Sequence, residues 1–213
     1  MKEKIVLYNP KAVFFDMPLA LLAISSSLDA SKYEVVIIDG RLESNPLKAV
    51  EEQVKDAAVF GVTVLTGSPL SDALSMSRYV KSEHPDVTVV WGGWHTSLFP
   101  TETLEQESSV DVTVQGQGEI TFAEIVDAVC AGNGLGGVKG CSYRSNGEVV
   151  KNPPRAMEDM NDLPQVNYNL IDVERYYRKK DNKQLDYISS TGCFFRCSFC
   201  ADPFVYKRSW TAI

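Results

Sequence analysis

The chain has little of what several functional classes require. Only two of its 213 residues are histidine, His84 and His95, and it has no long run of basic residues. Acidic residues outnumber basic ones by 28 to 21, for a formal charge of −7. Electrostatic capture of nucleic acid or of an anionic membrane surface is therefore a poor reading. No apolar stretch approaches the ~18 residues that a membrane span needs. The opening Met1-Lys2-Glu3-Lys4-Ile5 leads into a short apolar strand rather than a long apolar targeting segment. The expectation is a cytoplasmic protein that works on a small molecule, with no nucleic acid and no membrane span. Cysteine is scarce and unevenly placed: there are five, an odd number, and three of them fall within eight residues near the C-terminus. That is poor spacing for disulfides and good spacing for metal. Cys130 and Cys141 stand apart and read as buried, reduced thiols, since free cysteine behaves as a small hydrophobe.

What is present is an ordinary apolar content of 44% and a repeated alternation of short β-branched runs with longer amphipathic stretches. That alternation marks βαβ units around a parallel sheet. Five strands are predicted, at Ile5–Tyr8, Glu34–Ile38, Ala57–Val62, Val87–Trp91 and Asp111–Val114. Helices are predicted near Pro18–Ala30, Pro46–Val54, Ser68–Glu83, Thr101–Glu107 and Glu119–Cys130, with Pro46 and Pro69 at helix starts as N1 prolines. The strands are apolar throughout rather than alternating, so helices must cover both faces. The predicted fold class is thus α/β, a doubly wound, parallel, five-stranded Rossmann-like sheet. Ligands in such folds bind beyond the carboxyl ends of the strands. The informative loops are then Asn9-Pro10, Asp39-Gly40, Thr63 to Ser68, Gly92 to His95 and Gln115 to Glu119.

After Cys130 the run Ala131-Gly132-Asn133-Gly134-Leu135-Gly136-Gly137 cannot stay helical. Asn146-Gly147 between two extended runs, Val138–Tyr143 and Glu148–Lys151, predicts a hairpin. An irregular connector follows, with a short charged-aromatic helix at Val173–Lys179, and then a new strand at Gln184–Ser190 that feeds the cysteine loop. The division expected is residues 1–132 as the first domain, 133–183 as hairpin and linker, and 184–213 as the opening of another domain. The hairpin is expected to be dispensable to the first domain.

The segment Cys193-Phe194-Phe195-Arg196-Cys197-Ser198-Phe199-Cys200 carries a Cys-x3-Cys-x2-Cys spacing. Three thiolates from one loop can cap three irons of a cubane and leave the fourth open. In this spacing, and in the Thr191-Gly192 before it, the chain resembles the radical S-adenosylmethionine (SAM) superfamily. The resemblance implies Cys193, Cys197 and Cys200 as ligands of a [4Fe-4S] cluster, SAM on the open iron with Phe199 near its adenine, and an electron donor such as flavodoxin or ferredoxin. Zinc is the alternative. A structural zinc site wants four ligands, and neither histidine is near in sequence.

Upstream, Gly92-Gly93-Trp94-His95 with Pro100, and Gly116-Gln117-Gly118-Glu119, resemble the cobalamin-binding domain that precedes the catalytic barrel in many radical SAM enzymes. Glycines after a strand let backbone approach a flat macrocycle and its nucleotide tail. The resemblance implies cobalamin contacts from Leu65, Thr66, Gly92, Gly93, His95, Gly116, Gly118 and Glu119. Members that ligate cobalt with histidine carry Asp-x-His-x-x-Gly after the first strand, where this chain reads Phe15-Asp16-Met17-Pro18-Leu19-Ala20. Base-off binding without a histidine ligand is the expectation, with Leu65 and Thr66 facing the lower side of the corrin and His95 as a hydrogen-bonded loop histidine. The function implied is methyl transfer to an unactivated centre. One SAM methylates cobalamin, and a second yields the 5′-deoxyadenosyl radical that activates the substrate. An anaerobic oxidative cyclase or rearrangement enzyme of the same family, or a non-catalytic cobalamin-binding module holding zinc, are the alternatives. A full radical SAM barrel needs further β/α units after the cysteine loop, so a truncated catalytic domain is expected here.

Overall fold

The computed structural model of the chain describes residues 2–213. Its main sheet has the order β2-β1-β3-β4-β5-β6-β7. The strands are β1 Glu3–Asn9, β2 Tyr33–Asp39, β3 Ala57–Thr63, β4 Thr88–Gly92, β5 Val112–Val114, β6 Cys141–Ser145 and β7 Glu148–Lys151. The first five are parallel, and their order 2-1-3-4-5 is that of a flavodoxin-like doubly wound sheet. The helices between them are α1 Leu19–Ser26, α2 Pro46–Val54, α3 Ser68–Glu83, α4 Trp94–Leu98, α5 Pro100–Gln106 and α6 Glu119–Cys130.

Alternation along each strand builds two cores from one sheet. Val6, Tyr8, Phe60, Val62, Val89 and Trp91 face α2, α3 and α5 together with Val50, Val80 and Leu104. Ile5, Leu7, Val59, Val90 and Val112 face the other way, against Leu21 of α1 and Phe122, Ile125 and Val126 of α6. Every one of these side chains is 2% exposed or less, so the strands are uniformly apolar because both of their faces are core. Trp91 satisfies its indole N–H inside this core by donating to Ser77 Oγ at 2.8 Å.

Three features differ from the expectation. The hairpin is not an appendage: β5 pairs antiparallel with β6, Val114 opposite Cys141, so the sheet has seven strands rather than five. Buried Leu135, Val138 and Cys141 join the core beside α6, and Asn152 Nδ2 donates to Leu135 O and Val138 O at 2.6 and 2.7 Å. The Gly92–His95 loop is shorter than predicted, because Trp94 and His95 begin α4. The last predicted strand is shifted. Residues 184–189 pair with nothing regular, and β8, Ser190–Gly192, pairs antiparallel with β9, Trp210–Ala212, as a separate two-stranded sheet.

The connector packs back on the sheet. A 3-10 turn at Tyr168–Leu170 lies against β2, and α7, Val173–Lys180, is capped by Asp172, which accepts from the Glu174 amide at 3.1 Å. Tyr176 of α7 is 2% exposed and donates to Asp39 at the end of β2. A short helix α8, Asp202–Val205, follows the cysteines and packs on α4. Among the described residues no helix is long and apolar enough to cross a membrane.

Candidate cofactor cavity and cysteine loop

The carboxyl ends of β1, β3, β4 and β5 open on one cavity of about 370 Å³. Its floor is glycine. Gly93 has φ +95° and ψ −165°, a region only glycine occupies readily, and a Cβ there would stand 2.9 and 3.0 Å from the backbone O and N of Val64. That closeness is what lets the β3 and β4 loops lock together: Val64 N donates to Gly92 O at 2.8 Å and His95 N to Val64 O at 3.1 Å. Gly116 has φ +70°, and its amide donates to Ser97 Oγ at 3.0 Å. Gly92 and Gly118 also line the cavity, and a side chain on either would narrow it.

Of the residues predicted to touch cobalamin, Leu65, Gly92, Gly93, Gly116, Gly118 and Glu119 line this cavity. Thr66 and His95 do not. They bond each other instead, Thr66 Oγ1 to His95 Nδ1 at 3.1 Å, and the imidazole tilts on Phe99 at 5.6 Å between ring centres. Burial lowers the His95 pKa, so the ring is neutral at pH 7. Glu119 has no cationic partner. Burial pushes its carboxyl above the usual range, against the pull of its own N–H and that of Gly118.

Two further walls come from parts of the chain that sequence reasoning did not connect to the cavity beyond Asn9-Pro10. One is the segment after β1: Pro10, Ala12, Phe14, Asp16, Met17 and Pro18 all line it. It is held by Arg41, which also lines the cavity; its side chain is 2% exposed, and its Nη1 and Nη2 donate to Phe14 O at 3.0 Å and Asp16 O at 2.6 Å. The same guanidinium grips Asp39 through Nε to Oδ1 at 2.9 Å and Nη2 to Oδ2 at 2.6 Å. Asp39 also accepts from Asn9 Nδ2 at 3.1 Å and Tyr176 Oη at 2.7 Å. Burial opposes the charge on Asp39, yet Arg41 and these donors hold its carboxyl below the usual range.

The other wall belongs to the cysteine-bearing segment: Ile188, Thr191, Val205 and Tyr206 close the remaining side. Tyr206 meets Trp94 edge-on, with ring centres 6.0 Å apart. Burial raises the Tyr206 hydroxyl's pKa, and the negative field of Glu119 adds to it. The cysteine loop itself starts from Gly192, at φ +83°, where any Cβ would collide with the Ser209 carbonyl oxygen. Cys193 and Cys200 are half-buried and Cys197 is exposed, and Cys200 N donates to Cys197 O at 3.1 Å. Phe199 is 92% exposed and touches no part of the cavity. Among the described residues no three His, Cys, Asp or Glu side chains form a metal-binding group. The three thiols share one accessible loop without coming together as a preformed ligand group. As donors, three thiolates without a fourth residue still suit an iron–sulfur cubane better than zinc. Cys141, by contrast, is fully buried and its thiol is pushed up to about 11, first by burial, so it is no ligand.

A doubly wound sheet with its cavity at the carboxyl edge, floored by glycines that admit close backbone approach, defines a ligand-binding domain of the Rossmann-like class. The chain belongs to the B12-binding domain family, whose sequence pattern matches residues 8–126. It is 33% identical over 193 residues to an uncharacterized methyltransferase of Pyrococcus horikoshii, spanning 89% of this chain and 41% of that protein. It is 26% identical over 200 residues to the anaerobic magnesium-protoporphyrin IX monomethyl ester cyclase of a Synechocystis species, spanning 90% and 39%. The chain therefore spans about two fifths of these relatives' length. In fold it matches the radical S-adenosylmethionine methyltransferase TsrM from Kitasatospora setae, solved with cobalamin and a [4Fe-4S] cluster, at a TM-score of 0.75 and 21% identity, covering all of this chain and 43% of that one.

Proposed function

We propose that the chain is the cobalamin-binding and cluster-loop portion of a cobalamin-dependent radical SAM enzyme that transfers a methyl group to an unactivated centre of a small-molecule substrate. The observation that carries this reading is the shared boundary: Thr191, Val205 and Tyr206, on either side of the three cysteines, form a wall of the cavity that the B12-binding family match covers. The Gly93 and Gly116 backbone gives the cavity a floor without side chains, completed by Leu65, Gly92, Gly118 and Glu119, which would admit the nucleotide tail of cobalamin with the bulk of the corrin outside it. Cys193, Cys197 and Cys200 would hold a [4Fe-4S] cluster with SAM at its open iron and Phe199 beside the adenine. When bound, these groups supply a methyl-carrying cobalt and a radical source, which is chemistry no side chain here offers.

What the chain's own residues contribute is positioning. The half-buried rings of Trp94 and Tyr206 meet edge-on and line the cavity on the cysteine side. Glu119 lines the cavity, and its burial there disfavours the charged carboxylate. His95 is held by Thr66 and does not line the cavity, so it would not serve as a ligand to cobalt. The cobalamin unit expected at residues 1–132 extends to residue 152, because β6 and β7 complete its sheet, and residues 153–183 join it to 184–213; an electron donor such as flavodoxin or ferredoxin is the partner and the cytoplasm the location. The similarity to an anaerobic cyclase favours one second reading, an oxidative cyclisation on the same two cofactors.

Anaerobic reconstitution with iron and sulfide, followed by titration with hydroxocobalamin, tests the proposal. Brown protein absorbing broadly near ~400 nm together with saturable cobalamin uptake is the expected result. Colourless protein that retains one zinc, or no saturable uptake, would overturn it.

A further inference from the structure

We propose that Arg41 is a positioning residue that holds the segment 10–18 in place as a wall of the cavity and thereby sets how long cobalamin stays bound. This rests on the reading that the cavity takes cobalamin. The segment has no secondary structure of its own between β1 and α1. Loops without ladder hydrogen bonds keep one shape only where side chains over-determine it. Three residues from three separate elements do so. Asp72 of α3 accepts from the Lys11 amide at 2.8 Å, and Asp186 accepts from the Met17 amide at 2.6 Å. Between these ends, among the described residues, the carbonyls of Phe14 and Asp16 are the ones held, and both are bound by the Arg41 guanidinium.

The chemistry favours a pin rather than an incidental ion pair. A guanidinium is planar, always charged and carries a rigid fork of donors, so it can satisfy a carboxylate on one edge and two carbonyls on the other. Arg41 does this with three nitrogens, all on one buried side chain. Its carboxylate partner is itself fixed, because Asp39 accepts from Asn9 at the end of β1 and from Tyr176 of α7. Removing this residue frees the middle of the wall, while Phe14, half-exposed and packed on the guanidinium with the charge 5.5 Å from its ring centre, loses its seat. A ligand behind a looser wall departs faster, and effects of this kind fall mainly on the dissociation rate.

The wall is tied at its far end to the part of the chain that carries the cysteines. Asp186 holds the Met17 amide while pairing with Lys180 at 2.6 Å, and it lies four residues before β8. Arg41 therefore sits at the middle of a strap whose two ends are fastened by residues outside the cavity.

The test uses the chain as it stands, in three variants: Arg41→Lys, the charge-free double variant Arg41→Met with Asp39→Asn, and Val54→Ala as a destabilised control in the opposite core. Hydrogen exchange of peptides covering residues 10–18 is measured without ligand, and release of bound hydroxocobalamin is timed by rapid gel filtration after dilution. Both Arg41 variants should speed exchange of this segment and release of hydroxocobalamin by about tenfold for each charged hydrogen bond lost. The double variant keeps the test open should a lone buried charge in Arg41→Lys prevent folding. Unchanged exchange in either folded variant, equal acceleration by Val54→Ala, or faster exchange with unchanged release would each overturn the proposal. Failure of the unaltered chain to bind hydroxocobalamin would instead overturn the proposed function, and exchange alone would then decide whether Arg41 pins the wall.

Discussion

Replacing Gly93 by alanine isolates how much of the cavity floor depends on a missing side chain. Two costs add. The backbone at φ +95° and ψ −165° lies where non-glycine residues pay about 2–3 kcal/mol. The new Cβ would also stand 2.9 Å from Val64 O and 3.0 Å from Val64 N, neither of which can swing aside as a flexible side-chain end could. Overpacking of this kind costs about 1–3 kcal/mol, so Gly93→Ala should destabilise the fold by about 3–6 kcal/mol in all. Gly132→Ala is the control, because its φ is also positive, +67°, but nothing lies within 4 Å of its Cβ. That variant should lose only about 1 kcal/mol. Urea unfolding followed by circular dichroism gives both values, and hydroxocobalamin titration should show weakened binding for Gly93→Ala alone. Equal losses in the two variants would refute the claim that the Gly93–Val64 contact shapes the floor.

Replacing Cys193, Cys197 or Cys200 singly by alanine should abolish retention of iron and sulfide, whereas Cys130→Ala and Cys141→Ala should retain them; metal and sulfide analysis checks this. Glu119 has a raised pKa, so the stability it supports is fully present below the ordinary carboxylate range and is lost as pH rises through its folded value. Thermal scans from acid to neutral pH should show that decline in the unaltered chain and not in Glu119→Gln. A chain ending at residue 132 gives up the burial of Leu135, Val138 and Cys141 and unpairs β5. At about 1.5–3 kcal/mol per buried apolar side chain, this approaches the whole stability of a small domain, so fragment 1–132 should be loosely structured by near-ultraviolet dichroism while 1–152 folds.

Much of the fold was legible because the local signals agreed. Asn45 caps α2 with Pro46 at N1, and Pro69 sits in the first turn of α3, so these helices run over Pro46–Val54 and Ser68–Glu83 as read from the sequence. The glycines after β4 and β5 could be assigned to a cavity because the sheet rule says where the carboxyl ends converge. What could not be read is whatever depends on distant pairing. Asp39 and Tyr176 are 137 residues apart, and no local pattern announces their bond. Asp39-Gly40 was visible as a loop, but Arg41 beside it reads as one more solvated cation until two carbonyls from residues 14 and 16 are seen against it. Thr66 and His95 were both assigned to the cofactor, and their mutual bond sets both outside the cavity. Residues 184–189 look like a strand in composition, but their segment finds a partner only from Ser190 onward, opposite β9.

The 3-10 turn at Tyr168–Leu170 has a bearing on solubility. β2 is the outermost strand of the sheet, and its Glu34-Val35-Val36-Ile37-Ile38 is the kind of sequence that recruits another strand when its edge is bare. The turn sits against that strand, with Asn167 fastened to Ser26 Oγ at 2.9 Å. Residues 166–170 therefore act as a guard against self-association, and a chain trimmed to 1–152 would keep its fold yet gain an adhesive border. Light scattering should find such a chain forming oligomers as its concentration rises, where the 213-residue chain does not.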